Sequence, residues 1–115
     1  MIIDVTQLKE FLGCDDKFLA QLMETFMKES DENLVRLKNS TDTKNWPLVR
    51  ATAHKMLSST RILNIVELNS ALEEIEVLAE NATDSKSIPG KVLIVEKSWR
   101  NVIEEIVVLL PKIKA

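Results

Sequence analysis

The chain has a single histidine, His54, in the segment ATAHKMLSST at residues 51–60. Three cationic residues, Arg50, Lys55 and Arg61, lie close to it in the sequence. A neutral imidazole is a competent nucleophile near neutral pH, because its pKa in model peptides is about 6.5. Nearby arginine and lysine would offset the charge of a phosphoryl group added to the ring. These residue types therefore make the segment a candidate site for phosphoryl acceptance.

The apolar spacing around His54 predicts a helix that turns the histidine away from the core. The inner positions of this helix centre on a direction about 130° from His54, at about 100° of rotation per residue. Ser58 lies one turn further on and leaves room for a second macromolecule to reach the ring. A lone histidine on the exposed surface of a helix usually has no specific function, so its position alone establishes no role. The inner positions are Trp46, Val49, Ala53, Met56, Thr60 and Leu63.

Five helical segments are predicted from apolar spacing and end signals. The first begins at Asp4, and the pair of Asp4 and Gln7 resembles a capping box. This helix is short because Gly13 ends it. The second begins near Asp15, since carboxylates are favourable at a helix N-terminus. The third begins near Asn45, with a proline in its first turn.

Asn64 is predicted to have two roles between the third and fourth helices. It can end the third helix in a left-handed conformation, and with Glu67 it resembles the capping box of the fourth. A polar loop follows at residues 81–90. The fifth helix is then predicted to open with Ser87 and to close near Pro111.

Four long amphipathic helices, joined by short polar loops and preceded by one short helix, are typical of a helix bundle. We therefore predict an all-α fold, an antiparallel four-helix bundle with an additional short N-terminal helix. A chain of this length can form a single core, so residues 1–115 are predicted to form one domain.

Residues 53–76, AHKMLSSTRILNIVELNSALEEIE, resemble the signature of histidine-containing phosphotransfer (HPt) domains of bacterial two-component phosphorelays. In that family an alanine–histidine pair is followed by small residues, a helix break and a leucine-rich helix that ends in leucine–glutamate. The family fold is a four-helix bundle with an extra short helix, so the resemblance extends over most of the chain. The matching positions are Ala53 and His54, Ser58 and Ser59, Asn64, Leu68 and Leu72, and Ile75 and Glu76.

The resemblance implies that His54 takes a phosphoryl group from the aspartyl phosphate of a receiver domain and passes it to the aspartate of another receiver. The receiver would supply Mg²⁺ for the transfer, and we expect no metal or other cofactor bound by this chain. Glu76 matches a position where the family often has a glutamate or glutamine that hydrogen-bonds the ring. Such a bond from Nδ1–H would leave Nε2 as the free acceptor nitrogen. The alternative for Glu76 is a solvated helix carboxylate.

The sequence departs from the family pattern at two positions. Leu57 stands where the family commonly has lysine, and Ser58 stands where it commonly has glycine. The missing charge could be supplied by Lys55, Arg50 or Arg61. We expect Leu57 to contribute an apolar contact with the receiver, and the alternative for this residue is a core position at the edge of the helix.

A second interpretation is an HPt-like interaction module that docks on a receiver domain without carrying phosphate, and the loss of lysine at Leu57 favours it. A dimerisation domain of a histidine kinase is a third interpretation, but this chain has enough helices to close a bundle alone. We therefore expect a monomer. Nothing in the sequence indicates an independent enzyme, since it has no glycine-rich phosphate loop and no HExxH or CxxC motif. A phosphocarrier, in a hybrid sensor histidine kinase, is the favoured interpretation.

Composition narrows the partners and the setting. The net charge is −3 and the basic residues are dispersed, which disfavours nucleic acid and anionic membrane surfaces as partners. No apolar run approaches the roughly 20 residues that cross a bilayer, and the first residues do not resemble a signal peptide. Cys14 is the single cysteine, so an internal disulfide cannot form. We expect a cytoplasmic setting, including that of a cytoplasmic C-terminal domain in a membrane-bound sensor kinase.

Overall fold

A computed structural model describes residues 2–81 and 85–115, and all regular structure within them is helical. Helix α2 packs against α3 and α5, and α4 packs against the same two helices, which closes a four-helix bundle. The predicted all-α fold, with its additional short N-terminal helix, is confirmed. The helices are α1 (Val5–Leu12), α2 (Asp16–Asp42), α3 (Trp46–Ile62), α4 (Val66–Asn81) and α5 (Ile88–Lys114), with a 3₁₀ turn at Ser85–Ser87.

The first three helices begin where local capping chemistry predicts. Asp4, Asp15 and Asn45 each accept a hydrogen bond from the backbone N–H three residues later, at 3.1, 2.9 and 3.3 Å. Each such cap contributes about 1 kcal/mol to stability. Gly13 has a positive φ of 62° and ends α1, a conformation that is costly for residues with a Cβ.

The turn between α3 and α4 only partly follows the prediction. Asn64 has a φ of 55° and ends α3 in the left-handed conformation, as expected. However, α4 begins at Val66, and the carbonyl of Ile65 accepts the first helical bond, from the N–H of Asn69 at 2.9 Å. Ile65 therefore precedes the helix directly, and the predicted capping box of Asn64 with Glu67 was wrong. Burial of the Ile65 side chain fixes this turn against the core.

The connection to α5 is shorter than the loop predicted over residues 81–90. Helix α4 extends to Asn81, and α5 begins at Ile88 after the 3₁₀ turn of Ser85–Ser87. Residues 82–84 of the predicted loop lie outside the described residues.

Helix α5 opens with Ser87 and has a proline in its first turn, as predicted, but it does not close at Pro111. It continues to Lys114 with this proline inside it. Pro111 cannot donate to the carbonyl of Val107, four residues earlier. Val107 lies on the exposed side of the helix, where water can hydrate the freed carbonyl, and this explains the continuation.

The centre of the bundle is built on an aromatic pair between α2 and α5. The rings of Phe26 and Trp99 stack with centroids 4.6 Å apart and an interplanar angle of 22°. The indole N–H of Trp99 donates to the hydroxyl of Ser30, so the one polar atom of this large side chain is satisfied inside the core. Trp99 is thus structural.

Two long helices and two shorter ones give the bundle an elongated shape. Helices α2 and α5 have 27 residues each, whereas α3 has 17 and α4 has 16. The C-terminal end of α3 lies beside Leu22 and Phe26, so the first turns of α2 extend beyond it. Helix α1 lies at the same end of the bundle as this extension. Just before α1, the backbone N–H of Ile3 donates to the carboxylate of Glu105 on α5 at 3.0 Å.

Candidate functional site

His54 lies in the middle of α3 on its outer face, as the helical periodicity predicted. Its neighbours Ala53 and Met56 are fully buried, which turns the ring towards solvent. The side chain is 64% exposed, and its Nδ1 atom lies 2.9 Å from Oε1 of Glu76 on α4. The nucleophile candidate is therefore accessible but not freely rotating.

Glu76 reaches the ring because of the packing of α4 against α3. Leu72, Ile75 and Ala79 face the core, which places Glu76 at the edge of α4 next to α3, where its side chain is mostly covered. Of the two alternatives for this residue, the contact with the ring is the one observed. A carboxylate oxygen can only accept, so Nδ1 carries the hydrogen. The other ring nitrogen, Nε2, has no partner in the described part of the chain, and in the neutral ring it is the nitrogen with the lone pair.

Two of the predicted cations are already paired with carboxylates of α4. Arg50 lies 3.8 Å from Glu80, and Arg61 lies 3.2 Å from Glu73. Both pairs flank the contact of His54 with Glu76, and they follow in the order expected for antiparallel helices. All four charged side chains are about half exposed. The cations thus share a side of α3 with His54, but glutamates offset their charge.

Lys55 and Ser58 lie on the solvent side of α3 near the histidine. Within residues 2–81 and 85–115, no carboxylate lies within ion-pair distance of Lys55, so its charge is available to a partner. It projects about 100° round the helix from His54. The hydroxyl of Ser58 donates to the backbone carbonyl of His54 at 3.2 Å. The serine therefore folds against its own helix and leaves the space beside the ring open.

The docking role expected for Leu57 does not fit its position. This side chain is 1% exposed and belongs to the hydrophobic core. Its direction lies about 60° round the helix from His54, on the side that α4 covers. It cannot touch a partner, so the alternative of a core position applies. Leu57 is uncharged, whereas the family that the sequence resembles commonly has lysine at this position.

An apolar surface that the sequence reasoning missed lies on the other side of the histidine. Ile62, on the last turn of α3, is 45% exposed. With Leu22 and Thr25 of α2 it lines a small cavity of about 70 Å³. Phe18, one turn earlier on α2, is also exposed. The signal was present in the sequence, because Ile62 is a large apolar residue that falls outside the inner positions of α3.

No three metal-ligating side chains lie together in the part of the chain that the structure describes. None of the described helices is long and apolar enough to cross a membrane.

Comparison with known families connects this geometry to a class of proteins. No curated protein and no solved structure gives a significant match. The family model of the Hpt domain matches residues 21–107, a segment that begins in α2, ends in α5 and includes His54 and Glu76. This match covers more than half of the chain, and the fold and the exposed, oriented histidine agree with it. The chain belongs to the Hpt domain family.

Proposed function

We propose that this Hpt domain is a phosphorelay intermediate in which His54 accepts a phosphoryl group from the aspartyl phosphate of one receiver domain and passes it to the aspartate of another. Hpt domains act in phosphorelays and interact with receiver domains. The observation that carries the proposal is the bond of Nδ1 to Glu76, which leaves Nε2 as an exposed nucleophile.

In the accepting step the lone pair of Nε2 attacks phosphorus. A bond between Nε2 and phosphorus forms as the bond between phosphorus and the aspartyl oxygen breaks. The electron pair of the broken bond leaves with the aspartate, which becomes a carboxylate again. The ring then carries a positive charge with its proton on Nδ1, and the carboxylate of Glu76 stabilises that charge. The donating step is the reverse of this one, with a second receiver's aspartate as the nucleophile.

The work of catalysis is divided unequally between the partners. Phosphoryl transfer depends on in-line alignment and on stabilisation of charge on the transferred group. The receiver would supply Mg²⁺, whereas this chain would supply the nucleophile and nearby cations. Of these cations, Lys55 has no carboxylate partner among the described residues and is the one most readily offered to the phosphoryl group. The domain is therefore a phosphocarrier rather than an independent enzyme.

The receiver would dock over the outer face of α3 and the adjoining part of α2. Ser58 leaves the approach to the ring open, and Ile62, with Phe18 of α2, offers exposed apolar area nearby. Ile62 lies about 12 Å from His54 along the helix. An interface of standard size buries about 800 Å² on each partner, so it would include both His54 and Ile62. These side chains replace Leu57 as the candidate docking contacts.

A phosphorylation assay tests the proposal. The purified domain and a His54→Gln variant are each incubated with phosphorylated receivers, from response regulators or a hybrid sensor kinase, and Mg²⁺. We expect label that is stable to alkali and labile to acid on the parent alone. The histidine is exposed, so the variant should keep its fold, and circular dichroism provides that control. Gel filtration should show a monomer.

A second function, a docking module that carries no phosphate, is favoured by one observation. Leu57 leaves no cation at the family's usual lysine position, and Arg50 and Arg61 are both occupied by glutamates. This alternative predicts that the domain binds a phosphorylated receiver but takes no label from it. Label on His54 would exclude it.

A further inference from the structure

We propose that phosphorylation of His54 makes two arginines change their ion-pair partners. Arg50 would move from Glu80, and Arg61 from Glu73, to the phosphoryl group. The glutamates would then be positioning residues, because they hold the guanidinium groups beside the ring and limit the positive charge there until the phosphoryl group arrives. The inference rests on the proposed function, in which His54 is the phosphoryl acceptor.

The placement of the two arginines on α3 supports the exchange. Arg50 precedes His54 by four residues and Arg61 follows it by seven, so all three share one face of the helix. Nδ1 is held by Glu76, and a phosphoryl group on Nε2 would therefore project away from α4. Arginine has a long side chain with several donor groups, so it can turn from α4 towards this position without any backbone change.

The strengths of the competing contacts favour the exchange. Pairs between exposed side chains contribute little to stability, and the separation of Arg50 from Glu80, 3.8 Å, is at the long end of ion-pair distances. Arginine binds phosphate through two parallel hydrogen bonds, which are stronger and shorter than a loose exposed pair. The phosphoryl group also adds more negative charge than one carboxylate. Arg61 donates a hydrogen bond to Glu73 at 3.2 Å, but this pair is also half exposed, so both arginines should prefer the phosphoryl group.

The charge pattern of α4 explains why the arginines are held before phosphorylation. This helix has five glutamates and no lysine or arginine. Glu73, Glu76 and Glu80 lie along its edge next to α3, and each pairs with one residue of α3. Glu74 differs, since it pairs with Lys91 of α5 on the other side of the helix. The glutamates that hold the arginines can therefore be distinguished from one that only adds negative charge.

A first experiment observes the exchange directly. The domain is phosphorylated with phosphoramidate, so that no receiver is needed. The P–N bond of the reagent breaks, ammonia leaves, and the bond between Nε2 and phosphorus forms. We expect the side-chain Nε–H resonances of Arg50 and Arg61 to shift in ¹H–¹⁵N spectra. Arg36 pairs with Glu32 within α2, away from the site, and serves as the internal control whose resonance stays in place. Unchanged resonances of Arg50 and Arg61 would overturn the inference.

A second experiment measures the effect of the glutamate on the rate of labelling by phosphoramidate. Glu80→Gln releases Arg50, and we expect labelling of His54 to become roughly two- to fivefold faster, the range expected for one exposed charge pair. The matched control is Glu74→Gln, which removes the same charge from the same helix and should change the rate less. In an Arg50→Gln background, Glu80→Gln should lose most of its effect, because the group it releases is missing.

The outcomes separate this inference from the function on which it rests. If His54 of the parent takes no label, the proposed phosphocarrier function fails, and the inference fails with it. If His54 takes label but Glu80→Gln acts equally with and without Arg50, only the partner exchange is refuted. In that case the arginines would have structural or long-range roles alone.

Discussion

The Nδ1 atom of His54 and the carboxylate of Glu76 are 2.9 Å apart although the two residues belong to different helices. The bond therefore depends on how closely α3 and α4 pack, and not on either helix alone. Which ring nitrogen is held by a carboxylate is thus a property of the packed bundle.

Glu76→Ala should slow phosphoryl transfer through His54 by about tenfold or more. A hydrogen bond to a charged group is worth about 1.5–3 kcal/mol, and about 1.4 kcal/mol corresponds to a factor of ten. Glu76→Gln should slow phosphoryl transfer less, since an amide oxygen still accepts from Nδ1–H but does not stabilise the charged ring. Rates of transfer from one phosphorylated receiver would measure both. Equal rates in Glu76→Ala and the parent would exclude an orienting role.

Leu57→Ala should lower the free energy of unfolding by about 3 kcal/mol, because it leaves a cavity in the core. The exposed Ile62 provides the matched comparison on the same helix. Ile62→Ala should change stability by less than about 1 kcal/mol but weaken binding to the receiver. Urea unfolding and a binding titration separate the two effects. If Leu57→Ala weakened binding without loss of stability, its assignment to the core would be incorrect.

Thr52→Val should raise the free energy of unfolding by about 1 kcal/mol. The hydroxyl of Thr52 is buried without a hydrogen-bond partner among the described residues, and valine has nearly the same shape. Thr60 on the same helix is equally buried, but its hydroxyl donates to the carbonyl of Leu57 at 3.2 Å. Thr60→Val should therefore give no gain. A stabilised Thr60→Val with an unchanged Thr52→Val would contradict this account.

The ion pair with Lys38 on α2, whose Nζ lies 2.6 Å from Oε2 of Glu96, lowers the pKa of this α5 carboxyl group below its ordinary value. A carboxyl group with a lowered pKa in the folded state stabilises that state above its unfolded pKa, and this contribution is lost as pH falls through the folded pKa. Glu96→Gln should therefore melt at a lower temperature than the parent near neutral pH. The difference should vanish in acid, below the folded pKa.

Thermal melts across this pH range would check the prediction. Glu32→Gln removes a carboxylate from a pair with Arg36 that lies within α2 alone. Such exposed pairs within one helix contribute little, so this variant should melt close to the parent at every pH. A pH-independent difference for Glu96→Gln would show that packing, and not charge, is what the substitution changes.

Local features of the sequence were sufficient for the starts of the first three helices and for the direction of the histidine. The caps at Asp4, Asp15 and Asn45 act on backbone groups three residues away, so they are visible in the sequence itself. The outward direction of His54 follows from the period of a single helix. Neither property needs knowledge of the neighbouring helices.

Properties that depend on neighbouring helices were not accessible in the same way. Leu57 lies between the inner and outer faces of α3, and only the position of α4 decides that it is buried. The pairing of Arg50 and Arg61 depends on the register of α3 against α4. Pro111 stays inside α5 because the carbonyl it frees faces water, which depends on how that helix lies in the bundle.

Along its long axis of 47 Å the molecule has two parts. One is the four-helix part around His54, and the other is the extension in which α2 and α5 continue beyond α3 and α4. The segment that matches the Hpt domain family begins at residue 21, after α1 and the first turns of α2. Fewer helices surround the core in the extension, so it can unfold locally while the helices around His54 stay folded. Amide hydrogens of α1 should therefore exchange with solvent through smaller openings than those of α3. The site around His54 would then tolerate fluctuations, truncation or fusion at that end of the bundle.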